Sequence, residues 1–219
     1  MIILSDLSEV LINGLSGTSI YVYQDYGREV FTKYWQRIRE TEDFFENLMR
    51  GKLTEEIYYK LFFANNDFPF TEEKMRKYFS KSFQASVPGT LDLYRRIVSC
   101  PKRLDGGELQ EGRPDIYIVS DHITERLGEI KGYHPEIFNF VKGVFWSCEL
   151  GRIKCDPHFF EDLLMTLGVD ADEVIFIDDS RDNIMAAKRA GIYGIQFMNS
   201  DQLHLELFQL GFKFQPTKP

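Results

Sequence analysis

The sequence contains little cysteine and no long apolar run. Its 219 residues include only three cysteines, Cys100, Cys148 and Cys155, and no two of them form a close-spaced CxxC pair. No stretch approaches the roughly 18 consecutive apolar residues of a membrane-spanning helix, and Met1 to Leu4 is too short for the apolar region of a secretory signal. We therefore expect a reduced, soluble protein of the cytoplasm with no membrane partner.

Positive charge is also in short supply. The chain has 26 Lys and Arg against 34 Asp and Glu, which gives a net charge of −8. Because its basic residues are scattered, an acidic chain of this kind is repelled by a phosphate backbone, and we expect no nucleic acid partner. The hydrophobic share of 43% is enough for a packed core, and the length fits one large domain or two small ones.

Short apolar runs that end in polar residues recur along the chain. The first covers Met1 to Leu4 and is followed by Ser5 and Asp6. Similar runs occur at residues 115–120, 144–147, 173–178 and 193–198, and helical patterns such as 159–167 and 180–191 lie between them. Strands that alternate with helices predict an α/β fold with a mostly parallel sheet, whose chemistry lies beyond the C-terminal ends of the strands.

The alternation is interrupted between Gly17 and Gly89. Helical spacing of apolar residues predicts successive helices at 27–40, 43–50, 54–64 and 71–83. Residues 21–83 contain 17 of the 32 aromatic residues of the chain, and we expect most of them to form the core of this segment. The sequence thus predicts an all-helical domain at 17–89, inserted into an α/β core made of 1–16 and 90–219. Residues 100–114 are polar and glycine-rich and predict a solvated loop.

Four polar groups at or near the predicted strand ends fit phosphoryl transfer. Asp6 follows the first strand and can act as a carboxylate nucleophile if nearby positive charge offsets its own. Ser120 ends another strand and offers a hydroxyl to a phosphate oxygen, while Lys154 supplies a fixed positive charge. The adjacent carboxylates of Asp178 and Asp179 repel each other at a strand end unless a cation neutralises them, and oxygen ligands suit Mg²⁺.

The order of these groups resembles the haloacid dehalogenase (HAD) superfamily, in its phosphatase-like branch with a helical cap inserted after the first motif. The first motif is ILSDLSEVL at 3–11, and the similarity is closest over 145–197, which include GRIKCDP and FIDDSRDN. The resemblance implies a Rossmann-like core, a mobile helical cap and Mg²⁺-dependent hydrolysis of small phosphate monoesters through an aspartyl-phosphate. Within the superfamily, the chain looks most like sugar-phosphate phosphatases and the N-terminal domains of epoxide hydrolases.

The resemblance also implies roles for individual residues. The catalytic residues that it implies are Asp6, Ser8, Ser120 and Lys154. The substrate-binding residues are Ser120, Asp121 and Lys154. The ligands of Mg²⁺ are Asp6, Ser8, Asp178 and Asp179.

The sequence departs from the family pattern at Ser8. Family members usually have an aspartate there, which protonates the leaving group and then activates the water. A serine hydroxyl cannot exchange a proton in this way near neutral pH, and the loss of general acid-base catalysis costs about 10²–10⁴-fold in rate. We therefore expect slow hydrolysis, unless Glu9 or a residue of the cap substitutes. Asp121 and Cys155 also differ from the usual asparagine and proline of the family.

Two other functions fit the same sequence. Because of Ser8, the chain could be a catalytically weak or inactive HAD-fold protein that binds a ligand or a protein partner. It could also be a haloacid dehalogenase, which uses an aspartate nucleophile without a metal. Asp182 and Asn183 could equally cap a helix or reach the metal through water. The substrate and the oligomeric state stay open.

Overall fold

The computed structural model of the protein describes residues 1–99 and 114–214. Five strands form one sheet in which every neighbouring pair is parallel, in the order β3-β2-β1-β4-β5. The strands are β1 (Ile2–Ser5), β2 (Asp115–Ser120), β3 (Gly143–Trp146), β4 (Val174–Asp178) and β5 (Tyr193–Gln196). The predicted α/β fold with a parallel sheet is confirmed. The loop predicted at 100–114 lies outside the described residues except for Pro114.

The central strand β1 is buried on both faces of the sheet. Its register places Ser5 beside Ile118 of β2 and Ile177 of β4. Ile3 belongs to one apolar cluster and Leu4 to another on the opposite face, and both side chains are fully buried. A strand covered by helices on both sides needs a continuous apolar run, which explains why the short runs in the sequence predicted the strands.

Seven α-helices of the described chain follow residue 89. They are α5 (Thr90–Ile97), α6 (Leu127–Tyr133), α7 (Pro135–Phe140), α8 (Ser147–Leu150), α9 (Phe159–Leu167), α10 (Arg181–Arg189) and α11 (Ser200–Gln209). Ser180 caps α10 by accepting a hydrogen bond from the Asn183 N–H at 3.5 Å, as its sequence position predicted. None of the helices in the described parts of the chain has the length and apolar character that crossing a membrane requires.

Four helices lie between β1 and α5, and we call α1–α4 the inserted helices. They are α1 (Leu15–Glu40), α2 (Glu42–Met49), α3 (Glu55–Phe63) and α4 (Glu72–Ser82). Aromatic side chains form much of their core: the Phe62 ring lies 5.5 Å from Phe68 and 6.0 Å from Tyr34, between ring centroids. The boundaries 17–89 of an independent domain stay a prediction.

The helix α1 is longer than the sequence predicted. Gly27, with φ 77°, kinks it, and only the part after this glycine was expected to be helical. The first part is rich in residues of low helix propensity, such as Gly17 and Thr18. Its N-terminus is stabilised from outside, because the Glu9 carboxylate accepts the backbone N–H groups of Gly14 and Ser16, each at 3.0 Å.

A buried ion-pair network joins the inserted helices to the sheet domain. Glu55, at the start of α3, is only 3% exposed. Its carboxylate accepts hydrogen bonds from Arg126, which follows β2, at 2.7 and 2.9 Å, and from Arg76 of α4 at 2.5 Å. Arg126 also pairs with Glu129 at 2.9 Å. Since a buried charge needs close partners, this network holds α3 and α4 against the segment that follows β2.

Replacing Glu55 by glutamine tests how much this network stabilises the fold. Glu55→Gln keeps the side-chain shape but leaves Arg126 buried with one carboxylate partner fewer. We expect the free energy of unfolding to fall by about 3 kcal/mol, as for the removal of one partner of a buried ion pair. Urea denaturation followed by circular dichroism measures it.

The matched control is the neighbouring Glu56, which pairs with Lys60 on the surface, where both side chains are 68% exposed. Glu56→Gln should leave the urea midpoint unchanged, because exposed ion pairs contribute little. Equal effects of the two substitutions would show that burial of the network does not matter to stability.

Candidate active site

Three side chains from separate parts of the chain meet at the C-terminal edge of the sheet. Asp6 follows β1, Asp178 ends β4, and Lys154 lies in the loop after α8. The Lys154 Nζ atom lies 2.8 Å from Asp6 Oδ2 and 2.6 Å from Asp178 Oδ2. The exposed fractions of these residues are 6% for Asp6, 1% for Lys154 and 0% for Asp178. The structure therefore brings together three of the residues that the sequence predicted for the site.

The Asp178 carboxylate is held by groups at the start of α10. The Ser180 N–H donates to its Oδ1 at 2.8 Å, and the Asn183 Nδ2 donates to both carboxylate oxygens at 3.1 and 3.2 Å. Asn183 thus contacts the acidic pair directly, whereas the side chain of Asp182 is exposed. These donors orient Asp178, since hydrogen bonds to a ligand carboxylate fix its geometry.

Asp121 contacts the lysine loop. Its carboxylate accepts the backbone N–H of Lys154 at 3.1 Å. Burial raises the pKa of Asp121 to about 6, and the nearby Lys154 offsets part of that rise. The Asp121 carboxylate therefore binds the backbone of the lysine loop. Its role in substrate binding stays a prediction.

The Ser120 hydroxyl lies buried at the end of β2. Its Oγ atom is shielded from solvent and makes no hydrogen bond to any of the described residues. A buried hydroxyl normally has a partner. A phosphate oxygen is a suitable partner for it, which agrees with the role predicted for Ser120.

Negative charge exceeds positive charge at this edge of the sheet. Burial raises the pKa of Asp6 well above its ordinary value, and the attraction of Lys154 offsets only part of the rise. Burial also opposes the charge on Lys154, but the attraction of Asp178, Asp6 and Asp121 outweighs it and raises the pKa of the lysine. Asp179 adds a third carboxylate close to the other two, so that three acidic groups accompany one ammonium group.

The same carboxylates could hold a metal ion. One oxygen from each of Asp6, Asp178 and Asp179 lies within 4.8 Å of the other two. Carboxylate oxygens are the ligands that Mg²⁺ prefers, and a divalent cation would neutralise the excess negative charge. The residues present therefore fit Mg²⁺. Ser8, the other predicted ligand, lines the adjacent cavity.

Asp6, Lys154, Asp178 and Asp179 form what we call the charged floor. A cavity of about 310 Å³ opens above it. Its polar lining residues are Asp6, Ser8, Glu9, Ser16, Asp121, His122 and Asp179. Its apolar lining residues are Leu15, Trp35, Met49, Phe79, Phe83 and Ile123. The apolar side chains come mainly from the inserted helices, so these helices form a wall of the cavity.

Glu9 adopts an unusual backbone conformation at the mouth of the cavity. Its φ of 61° lies in the left-handed region, which is uncommon outside glycine. Besides the two N–H groups that it accepts at the start of α1, its carboxylate accepts the Ser16 hydroxyl at 2.5 Å. A Cβ at Gly14 would lie 2.9 Å from Glu9 Oε1, so a larger residue there would displace the Glu9 carboxylate. With both oxygens bound, Glu9 is poorly placed to replace the missing aspartate at position 8.

The sequence did not predict the ion pair that supports the lysine loop. Arg50, at the end of α2, donates to both oxygens of Asp156 at 2.6 and 3.1 Å. Asp156 Oδ2 also accepts the backbone N–H of Ile153 at 3.0 Å, next to Lys154. The partners are 106 residues apart in sequence, and nothing in the local pattern around either residue links them.

His122 is a buried polar group in the wall of the cavity. It is 3% exposed, and its ring lies 4.9 Å from Phe83 and 5.9 Å from Trp146, between centroids. Its Nδ1 accepts the N–H of Ile123 at 2.9 Å. Burial lowers the pKa of His122 to about 4, so this wall of the cavity carries a neutral imidazole at neutral pH.

Comparison with known families gives one clear match. Residues 1–191 match the family described as haloacid dehalogenase-like hydrolase. Among solved structures, a HAD family enzyme from Bacteroides thetaiotaomicron, in complex with magnesium and inorganic phosphate, is similar with a TM-score of 0.64. The two sequences are 18% identical, and the similarity covers 93% of this chain and 97% of that one. At this level of identity, the structural likeness supports the fold.

Two curated relatives match shorter parts of the chain. Flavin mononucleotide hydrolase 1 of Arabidopsis thaliana, described as chloroplastic, is 35% identical over 79 residues, which cover 36% of this chain and 32% of that protein. Sesquiterpene phosphatase astK of Aspergillus oryzae is 30% identical over 95 residues, which cover 43% of this chain and 48% of that protein. The matches thus span less than half of each relative.

The pH dependence of stability tests the burial of His122. Its pKa is about 4 in the folded protein against 6.5 when exposed, so between these values only the unfolded chain binds the proton. The free energy of unfolding should lose about 3 kcal/mol from this group as the pH falls through that range, because one pKa unit corresponds to about 1.4 kcal/mol. Urea denaturation between pH 7 and pH 4 measures the loss.

The comparison variant is His122→Asn, whose amide oxygen can still accept the Ile123 N–H. Lost packing should make this variant less stable than the wild type at pH 7. The difference in free energy of unfolding between the wild type and this variant should shrink toward pH 4, because the variant has no imidazole to protonate on unfolding. A deficit that stays constant with pH would contradict the burial of a neutral His122.

Proposed function

The chain belongs to the haloacid dehalogenase-like hydrolases, and we propose that it hydrolyses small phosphate monoesters with Mg²⁺ through an aspartyl-phosphate on Asp6. The observation that carries the proposal is the buried cluster in which Lys154 Nζ contacts both Asp6 and Asp178. The names of the two curated relatives, a flavin mononucleotide hydrolase and a sesquiterpene phosphatase, support phosphate ester hydrolysis. The magnesium and phosphate bound to the Bacteroides enzyme support the choice of metal.

In the first step, an Asp6 carboxylate oxygen attacks the phosphorus atom and the bond from phosphorus to the ester oxygen breaks. The ester oxygen leaves with the electron pair of that bond and takes a proton from water. The Lys154 ammonium offsets the negative charge of nucleophile and phosphate, and the Ser120 hydroxyl donates to a phosphate oxygen. When bound, Mg²⁺ supplies further charge neutralisation between the acidic side chains and the phosphate.

In the second step, water attacks the aspartyl-phosphate. A new bond forms between the water oxygen and phosphorus, and the bond from phosphorus to the Asp6 oxygen breaks. Asp6 returns as a carboxylate, inorganic phosphate leaves, and the water proton passes to solvent. Because Ser8 stands where an acid-base carboxylate is usual and Glu9 is held by the start of α1, both proton transfers are slow.

The inserted helices complete the proposed site. We assign residues 17–89 as a cap that covers the cavity and excludes water from the charged floor. Trp35 and Phe79 of these helices line the cavity with Phe83, which directly follows α4, and this supports the assignment. A cytoplasmic location belongs to the same proposal, and the free thiols of Cys148 and Cys155 are consistent with it.

A metal-free dehalogenase remains the second candidate from the same family. It needs the Asp6 nucleophile and a cation such as Lys154 but no third carboxylate. The grouping of Asp6, Asp178 and Asp179 within 4.8 Å is explained by a divalent cation, which favours the phosphatase.

Asp6→Asn tests the nucleophile. With Mg²⁺ and a panel of phosphate monoesters, the wild type should release phosphate and form a phosphoryl adduct that mass spectrometry detects. The variant should form no adduct and lose about 10³-fold or more of the activity, since an amide is not a nucleophile. EDTA should stop phosphate release by the wild type.

Two results would contradict this proposal. If the wild type and Asp6→Asn behave alike in every assay, the enzyme proposal fails. If the wild type releases halide from 2-chloropropionate in the presence of EDTA and no phosphate from any ester, the dehalogenase is correct.

Restoring the acid-base group tests the proposed slow step. Ser8→Asp should raise the turnover of phosphate monoesters about 10²-fold, because a carboxylate there can protonate the leaving group and activate water. Ser8→Asn places a side chain of nearly the same shape as aspartate at this position, but an amide exchanges no proton. This variant should therefore give no gain in turnover. No gain from either variant would favour a protein that binds its ligand without turning it over.

A further inference from the structure

We propose that the cavity selects phosphate monoesters whose leaving group is apolar and uncharged. The inference rests on the proposed function, because it takes the phosphate to lie at Asp6 and Lys154. The leaving group then projects from this charged floor toward the inserted helices. What it meets there is set by the side chains of the wall.

The wall is apolar on the side of the inserted helices. Trp35 of α1, Met49 of α2 and Phe79 of α4 line it, together with Leu15, Phe83 and Ile123. The Phe83 ring continues the surface onto His122, at 4.9 Å between ring centroids. A leaving group rich in hydroxyls would lose its hydrogen bonds to water against this surface, whereas an apolar one is favoured by burial.

The charges at the cavity disfavour an anionic leaving group. The ionisable groups on its lining are Asp6, Glu9, Asp121, Asp179 and His122, and none of the described lining residues is a lysine or arginine. His122 does not add a positive charge at neutral pH, because burial lowers its pKa to about 4. With Mg²⁺ bound to Asp6 and Asp179, the carboxylates of Glu9 and Asp121 remain on the lining. A carboxylate or second phosphate on the leaving group would meet their like charge without a counter-ion.

Cations close to the cavity are already engaged. Arg50, next to Met49, pairs with Asp156, and Arg126 pairs with Glu55. Lys154 is buried beneath the cavity between Asp6 and Asp178. A second anionic group could recruit one of these cations only by breaking an ion pair that is buried, or half-buried in the case of Arg50, which is costly.

The cavity has room for an aryl phosphate. Its volume is about 310 Å³. This is the space of about ten water molecules, at the roughly 30 Å³ that each takes up in the liquid. A phosphate that carries a single aromatic ring, or an aliphatic chain of similar length, suits a cavity of this size that is open on one side, and the test compounds are of this kind.

The first test compares two aryl phosphates of almost identical shape. 4-Carbamoylphenyl phosphate is neutral at the far end of the ring, and 4-carboxyphenyl phosphate carries a carboxylate there. We expect kcat/KM to be at least about tenfold higher for the carbamoyl compound. Glycerol 3-phosphate, whose leaving group is polar and flexible, should also be a poor substrate.

A charge placed in the wall should reverse this preference. Met49→Lys exchanges one unbranched side chain for another of similar length and adds a cation. It should raise kcat/KM for the carboxyphenyl compound about tenfold and lower it for the carbamoyl compound. The control is Ile57→Lys, on an exposed site of α3 outside the cavity lining, which should leave both values unchanged.

A binding experiment without hydrolysis separates this inference from the proposed function. Trp35 lines the cavity, whereas Trp146, the other tryptophan, is buried. Citronellol, an apolar alcohol, should change the tryptophan fluorescence saturably, and glycerol should not. Trp35→Phe should abolish the response to citronellol.

The outcomes are distinguishable. Saturable binding of citronellol without hydrolysis of any ester would support the apolar site and overturn the proposed function. Hydrolysis of both aryl phosphates at equal efficiency, or a preference for the carboxyphenyl compound, would overturn the inference and leave the proposed function standing. If Met49→Lys fails to fold, the ratio of the two substrates in the wild type and the citronellol titration still decide between these outcomes.

Discussion

The ammonium group of Lys154, buried between Asp6 and Asp178, is the contact on which the rest of the site depends. Removing three charged groups from water costs several kcal/mol per ion unless each keeps a close partner. The contact therefore requires β1 and β4 to be neighbours whose ends lie level, and the parallel register of the sheet provides this. One ammonium cannot balance three carboxylates, so the same contact also leaves a surplus of negative charge at this edge. That surplus makes the site suited to a divalent cation.

The lysine loop is held by hydrogen bonds at Lys154 and at the residue before it. Asp121 accepts the backbone N–H of Lys154 itself, and Asp156 accepts that of Ile153. Asp156 is in turn bound by Arg50 at the end of α2, so an inserted helix supports the loop. The approach is close, because a Cβ at the next residue, Gly51, would lie 2.5 Å from the backbone oxygen of Cys148. The position of α2 and the position of the lysine are thus linked.

The fold and the floor of the site were predictable for a physical reason. A strand buried on both faces needs an apolar run, and a polar residue directly after it, such as Asp6 or Asp178, must lie at the strand end. The sequence did not predict the start of α1, because this end of the helix is stabilised by Glu9. The Glu9 backbone is in a left-handed conformation and its carboxylate binds the N–H of Gly14, and neither feature changes the spacing of apolar residues. The pair of Arg50 and Asp156 was missed because it joins residues 106 positions apart. A local sequence pattern predicts elements that depend on local burial, such as the strands. The contacts of Glu9 and Arg50 depend instead on tertiary packing.

The charged floor of the cavity suits a phosphate, whereas its wall suits an apolar group. Adjacent residues at the end of α2 support both. Met49 contributes to the apolar wall, and the next residue, Arg50, binds the loop that carries Lys154. Any shift of this end of α2 moves the wall and strains the loop together. In the proposed function, a leaving group that packs against Met49 would therefore also favour the arrangement in which Lys154 contacts Asp6 and Asp178. Binding energy from the part of the substrate that does not react can in this way be used to organise the charges around the part that does.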